Sequence, residues 1–204
     1  MPRDRDREAN PGETEVRRLM FAGQERDAAT ALVGLFGPEL QVFLHRVLGD
    51  VTLVDEAYST TCERLWRGLP GFRWESSLRS WCYVIARREA SRCRSRGARA
   101  RVNETTLSAA EAVPASEATH TVSTTRRAHL DNLRASLSDE DRDLLVLRVE
   151  QDLSWKEIAS AFLDEDSDAE ALAREAARLR QRFRAIRTTV AAAMAASNQR
   201  PDKS

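Results

Sequence analysis

Apolar residues recur three and four positions apart along most of the chain, the spacing of one face of an α-helix. Val16, Leu19 and Met20 share such a face, and Gly23 is placed to break that helix. Ala28, Leu32, Leu35 and Phe36 mark a second. Gly37-Pro38 then punctuates the pattern, with Pro38 acceptable in the first turn of a third helix that carries Leu40, Phe43, Leu44, Val47 and Leu48 and ends at Gly49. A fourth helix is predicted from about Thr52 to Trp66, stopping before Gly68-Leu69-Pro70-Gly71. A short loop, 72–76, leads into a long helix over about 77–95.

The pattern then changes. From Gly97 to about 127 the residues are small and polar, with no sizeable apolar face, as in Ser-Ala-Ala-Glu-Ala-Val-Pro-Ala-Ser-Glu. This composition predicts a flexible linker. Helical spacing returns with Leu130, Leu133 and Leu137, then Leu144, Leu145, Leu147 and Val149. Ser138 with Asp141 resembles a helix-capping pair, and Ser154 with Glu157, directly before an apolar run, is a better one. The last helix holds Leu172, Ala176, Leu179, Phe183, Ile186 and Val190, whose steps of four and three make one buried stripe. No segment shows strand-like alternation. The expected fold is all-α, with two small helical domains joined by a flexible linker. The expected parts are a tail at 1–11, a first domain at 12–96, the linker at 97–127, a second domain at 128–194 and a tail at 195–204.

Composition supports helix, since Ala, Leu, Arg and Glu dominate and there are only 8 Gly and 6 Pro in 204 residues. The formal net charge is zero, so the whole chain selects no partner by charge. Its distribution says more. From Gly71 to Arg101 nine Arg face two Glu, a local excess of seven positive charges. From Arg174 to Arg187 six Arg face one Glu, an excess of five. Basic blocks on a neutral chain suit a polyanion-binding protein. Cys62, Cys82 and Cys93 lack metal-ligand spacing with each other or with the three His, so neither a metal, another cofactor nor a disulfide framework is expected. The charged start is no signal peptide and no apolar run has transmembrane length, so a cytoplasmic protein without membrane insertion is expected.

The segment around 72–95 concentrates the chemistry. On a helical wheel Leu78, Trp81, Cys82 and Ile85 fall on one side, and Arg79, Tyr83, Arg87 and Arg94 on another, with Ser80 and Ser91 nearby. Phe72, Arg73 and Trp74 lie just upstream. Arginines contact phosphates and release counterions, and aromatic rings stack on unpaired bases. Interleaved on one element, they suit single-stranded or melting DNA better than duplex alone. The plainer reading is a solvated basic face over a core containing Trp81, with Trp74 as readily core as exposed.

The run Leu-Pro-Gly-Phe-Arg-Trp-Glu-Ser-Ser-Leu-Arg-Ser-Trp-Cys-Tyr-Val-Ile-Ala-Arg-Arg-Glu-Ala, residues 69–90, resembles the promoter-melting segment of extracytoplasmic-function (ECF) sigma factors of the sigma-70 family. The usual form there is F-R-G-E-S-S-L-R-T-W-L-Y-x-I-A-R-N. Leu35-Phe36-Gly37-Pro38-Glu39-Leu40 and Leu48-Gly49-Asp50 also resemble that family's first domain. The resemblance implies a factor that binds core RNA polymerase and gives it promoter recognition. It implies minus-ten contacts by Phe72, Arg73, Trp74, Ser76, Ser77, Arg79, Tyr83, Arg87 and Arg94, with the loop 72–77 holding a flipped base. It implies docking on the polymerase's largest subunit by the helix starting near Asp50, through Asp55, Glu56, Ser59, Thr60 and Glu63. There the family pattern A-E-D-L-V-Q-E-T-F is replaced by Val54-Asp55-Glu56-Ala57-Tyr58-Ser59-Thr60-Thr61-Cys62. Family members are commonly held by an anti-sigma factor, which the resemblance adds as a candidate partner.

Residues 137–161 resemble the family's second DNA-binding domain, Leu-Leu-Val-Leu-Arg-Val and Asp-Leu-Ser-Trp-Lys-Glu-Ile-Ala standing for L-L-L-R and G-L-S-Y-x-E-I-A. This implies a helix-turn-helix on the minus-thirty-five element. The best counterpart of its recognition helix is Arg180-Gln181-Arg182-Phe183-Arg184-Ala185-Ile186-Arg187, which requires an insertion of ten residues containing Asp164-Glu165-Asp166-Ser167-Asp168. The turn is therefore expected to be extended, with the acidic run either lengthening it or beginning the helix, where carboxylates favour the N-terminus. Arg174, Arg178, Arg180, Gln181 and Arg184 are the candidate contacts, Arg and Gln being side chains that read guanine and adenine edges. The competing functions are a helix-turn-helix regulator acting without polymerase, a sigma-like decoy that binds polymerase but supports no transcription, and an enzyme. The last has only Asp55-Glu56 as a carboxylate pair. Adjacent helical residues diverge by about 100°, which makes a poor acid/base dyad.

Overall fold

A computed structural model describes residues 10–105, 137–164 and 167–198, with side chains described to 99 in the first stretch and to 191 in the last. The expected tails before residue 10 and after 198, the linker beyond 105, and the apolar positions Leu130 and Leu133 lie outside the described residues. The chain divides into two compact units, to Gly97 and from Ala98. Every regular element among the described residues is helical.

In the first unit α1 (Pro11–Phe21) begins at Asn10, whose side chain accepts the Gly12 N–H at 3.0 Å, with Pro11 in the first turn. It buries Val16 and Leu19 and ends where Gly23 takes φ +73°. Then α2 spans Glu25–Leu48 without interruption. The two helices expected on either side of Gly37-Pro38 are one, and Pro38 lies in its interior. An interior proline costs about 3 kcal/mol. Phe36, Leu40, Phe43 and Leu44, all within 1% of full burial, straddle it and offset that cost at roughly 1.5–3 kcal/mol each. Gly37 has a packing reason, because a Cβ there would sit 2.7 Å from the Tyr58 hydroxyl. By length and composition α2 could also cross a membrane. Leu32, Phe36, Leu40, Phe43, Leu44 and Val47 of this helix line the core of the unit.

Asp50 caps α3 (Val51–Gly68), accepting the Thr52 N–H at 2.9 Å. Val54, Ala57, Thr61 and Leu65 face inward from it. After a 3₁₀ turn, Leu69–Gly71, and the loop 72–77, α4 runs from Leu78 to Thr105. It continues through Gly97 into the stretch expected to be linker. A lone glycine in a helix costs only about 1 kcal/mol, and arginines and alanines surround this one.

In the second unit α5 (Asp139–Leu145) is capped by Ser138 and passes into a π-helical turn, Val146–Glu150. The turn ends at Asp152, which takes φ +49°. The capping box expected at Ser154 and Glu157 is formed reciprocally at the head of α6 (Trp155–Phe162), with bonds of 3.3 and 2.6 Å. Finally α7 runs over Ala169–Asn198. Leu144, Leu147, Leu153, Ile158, Ala161 and Leu179 are fully buried, and α5 and α6 both pack on α7.

Candidate nucleic-acid interface

The loop 72–77 is the most unusual backbone in the first unit. Trp74 takes φ +60°, the left-handed region that costs non-glycine residues on the order of 1–3 kcal/mol. In the motif form quoted above this position is glycine, so the fold keeps the glycine conformation and puts a tryptophan on it. Neighbouring rings hold the side chain. Phe72 meets it edge-on with centroids 5.1 Å apart, and Phe21 of α1 lies nearly parallel to it, 6.3 Å away at 22°. The Arg17 guanidinium sits 5.4 Å from the Trp74 ring and 5.5 Å from that of Phe21. Phe72 in turn leans on Trp81 at 4.9 Å, and Trp81 packs on α3 at Gly68. Trp81 is thus the inner end of an aromatic row whose outer end is Phe21, 74% exposed. Arg73 and Ser76 are exposed beside it.

Ser77 has a different task. Its hydroxyl accepts the Ser80 N–H at 3.1 Å and its carbonyl accepts the Trp81 N–H at 3.1 Å, so it starts α4. A second cap comes from α1, where Glu13 accepts the Arg79 N–H at 3.2 Å. Carboxylates are favoured at a helix N-terminus, and this one ties α1 to the loop's far end.

The helical face of Arg79, Tyr83, Arg87 and Arg94, expected to be open to DNA, turns inward against α2. Tyr83 is fully buried and Arg87 is 9% exposed. Tyr83 meets Phe43 edge-on at 5.3 Å and donates its hydroxyl to Glu39 at 3.1 Å. Burial, chiefly, pushes its phenol above the ordinary range. Arg79 is half-buried, bonding Glu39 at 3.2 Å while its guanidinium covers the Tyr83 ring at 4.9 Å. Arg94 donates to the Val47 carbonyl at 3.2 Å. Tyr83 and Arg87 therefore leave the set of exposed contacts, and Arg79 and Arg94 brace α4 on α2. The wheel went astray because α4 is buried on two sides, and an arginine beside Glu39 reads in sequence like an arginine beside phosphate.

The outer arginines of this block are largely neutralised. Arg92 and Arg64 both bond the buried Glu89, and Arg96 meets Glu56 at 2.7 Å. Glu39 and Glu56, from outside the block, answer two of the seven excess charges through Arg79 and Arg96, and Arg73 in the loop is exposed.

On α3, Asp55, Glu56, Ser59 and Glu63 are exposed and Thr60 half-buried. Glu63 bonds Arg67 at 2.8 Å. Val51, at 62% exposure, and Trp66, at 47%, belong to the same helix. Counting by fours and a three, Val51, Asp55, Ser59, Glu63 and Trp66 share one face. In sequence Trp66 marks only the end of the helix. Its step from Glu63 is the signal that places it beside the docking candidates.

In the second unit Arg174, Arg178, Arg180, Gln181 and Arg184 are exposed on α7. The link between α6 and α7 spans 163–168, longer than the usual helix-turn-helix turn of 3–4 residues. Asp168 closes it by accepting the Ala171 N–H at 2.7 Å. Most of the inserted stretch is therefore extra helix upstream of Arg180. Several arginines already have partners. Arg174 bonds Glu170 at 2.5 Å and Arg178 bonds Glu175 at 2.6 Å. Arg180 lies 5.7 Å over the Trp155 ring, which Arg148 also covers at 5.1 Å and Phe183 meets edge-on at 5.5 Å. Arg182 ties α7 to α5 through Glu140 at 3.0 Å and through Asp141, whose carboxyl it holds below the usual aspartate range.

All three cysteines are free, and burial pushes the Cys82 thiol well up. Among the described residues no group of His, Cys, Asp and Glu could hold a metal ion.

Residues 32–100 match the family Sigma-70 region 2. No curated protein matches the chain. Among solved structures the chain is similar to the sigma factor RpoE of Bartonella quintana, solved in complex with the anti-sigma factor NepR. The identity is 19%, over 76% of this chain and 94% of that one, with a TM-score of 0.49. The matched segment holds α3, the aromatic loop and nearly all of α4, and proteins of its family bind core RNA polymerase and promoter DNA. That match spans 69 of the 204 residues, about a third of the chain.

Proposed function

We propose that the chain is an ECF-type sigma factor that binds core RNA polymerase and directs promoter-specific initiation, acting in the cytoplasm and without catalysis of its own. The loop 72–77 melts the minus-ten element, with Phe72 and Trp74 stacking on unpaired bases and Arg73 and Ser76 on the strand beside them. The outer face of α3, Asp55, Glu56, Ser59, Thr60 and Glu63 with Trp66 added, docks on the polymerase. In the second unit α6 and α7 bind the minus-thirty-five element through Arg174, Arg178, Arg180, Gln181 and Arg184. The observation that carries the reading is Trp74, held in a left-handed conformation among aromatic rings and beside an exposed arginine. Strain of this kind persists where surroundings enforce it, and it clusters at functional sites.

The test adds the purified chain to bacterial core polymerase on fragmented genomic DNA from its source and sequences the transcripts. Initiation should cluster at sites sharing two upstream elements. No chain-dependent start sites on any genomic template would overturn the proposal. Tight binding to promoter duplex without polymerase would favour a free-standing regulator instead.

A further inference from the structure

Before the matched segment, α1 presents a second face. Glu13, Arg17 and Phe21 are four residues apart and line one side of the helix, while Val16 and Leu19 bury the other. Glu13 caps α4, and Arg17 and Phe21 sit against Trp74. Gly23, at φ +73°, turns the chain away immediately after Phe21, which leaves that ring at the edge of the molecule. A phenylalanine exposed at 74% adds nothing to the core, yet it is set nearly parallel to another ring with a guanidinium beside both.

From these features we infer that α1 is part of the single-stranded DNA interface. The Phe21–Trp74 pair is a stacking position for one unpaired base, and Arg17 takes the adjoining phosphate. The inference rests on the DNA-melting role of the loop and extends it to a helix outside residues 32–100. The chemistry is complementary throughout. An unpaired base offers an apolar face to Phe21, the phosphate offers its charge to Arg17 and Arg73, and both arginines are exposed. A protein partner would also want the apolar ring but would gain less from two flanking cations. Alternation of ring and guanidinium is the pattern that grips single strands without reading their sequence.

The test uses the full chain and a fluorescent pool of random 15-nucleotide single strands, with the same pool annealed as duplex. Phe21→Ala and Phe21→Leu should weaken single-strand binding at least about five-fold, the loss of one base-to-ring stack, and leave duplex binding within two-fold. Phe21→Tyr, which keeps the ring, should bind like the native chain. Thermal melts should be unchanged, since the ring is exposed. Pools carrying 5-iodouracil should cross-link to the peptide containing Phe21. If Phe21→Leu binds within two-fold of native while Trp74→Ala does not, this inference falls and the loop's role stands. If neither variant loses affinity, both fall. If Phe21→Leu loses affinity but no cross-link reaches its peptide, Phe21 only props Trp74, and the stacking position is overturned.

Discussion

The two basic blocks have similar compositions and opposite architectures. In the first unit three arginines of α4 turn inward and two exposed ones are tied to carboxylates. Arg79 and Arg94 bond α2, Arg87 is buried, and Arg92 and Arg96 are paired with glutamates. What faces outward beside them is a loop of rings flanked by Arg73 and by Arg17 of α1. In the second unit the arginines of α7 do face outward, but Glu170 and Glu175 beside them occupy Arg174 and Arg178. A count of positive charge thus misleads in both places, for different reasons. In the first, charge holds the scaffold, and the recognition proposed above falls to aromatic rings. In the second, charge is presented, but half of it must exchange a carboxylate for a phosphate. Exposed pairs of this kind are worth only about 0–1 kcal/mol, so that exchange is cheap, and the second unit should bind DNA weakly and with strong salt dependence.

The sharpest way to break this contrast is at Trp74. Trp74→Ala should impair open-complex formation by about five-fold or more, the range of a lost stacking contact, with binding to core polymerase unchanged. Equal loss of both would remove the recognition role from the loop. Trp74→Gly separates the ring from the backbone, because glycine takes φ +60° without strain. It should melt at the same temperature as the native chain or slightly higher, and still fail to open promoters. A large drop in melting temperature would make Trp74 a packing residue.

Next in size is the division between inward and outward arginines. Arg87→Ala removes a buried guanidinium and leaves its surroundings unsatisfied, so it should destabilise the first unit by about 1–3 kcal/mol. Denaturant unfolding would measure this. Arg73→Ala should leave stability within about 0.5 kcal/mol and lower single-strand affinity with a shallower salt slope. If Arg87→Ala kept full stability and lost DNA binding, the inward reading of α4 would be wrong.

The sequence made the helices, their caps and the family resemblance legible because these are local. Ser154 with Glu157 announced a capping box four residues long, and the motif at 69–90 was contiguous. Two readings failed where tertiary context prevailed over local rules. Pro38 looked like a first-turn residue because local chemistry could not register that Phe36, Leu40, Phe43 and Leu44 would bury together across it. Tyr83 looked exposed because a helical wheel orders residues around a helix but cannot say how many sides are covered. Among the described residues both non-glycine positions with positive φ, Trp74 and Asp152, stand where the family's motif forms have glycine. A departure from glycine within an otherwise matching motif marks a left-handed backbone carrying a side chain. In the first unit that side chain is the candidate site. In the second it is an exposed aspartate near Arg148, at 3.7 Å, in a conformation that aspartate tolerates better than most residues.

The smallest predicted effect tests whether α7 is held by charge. Arg182 bonds Glu140, Asp141 and the Ser138 hydroxyl at the head of α5, so it joins the long helix to the cap of the short one. The Asp141 carboxyl is held below its ordinary value of 3.8, first by its hydrogen bond from Arg182. A carboxyl depressed on folding contributes stability above its unfolded value, and that contribution disappears as the pH falls through the folded value. The second unit should therefore keep this contribution at neutral pH and lose it below about pH 4. Arg182→Ala should cost on the order of 1 kcal/mol at pH 7 and flatten the acid limb of the stability profile, since Asp141 would then titrate near its ordinary value. Unfolding of the native chain and the variant, followed from pH 7 to pH 3, would show two curves converging as the acid is reached. Parallel curves would mean that Arg182 acts through packing of its stem, and that α7 sits on α5 by its apolar stripe alone.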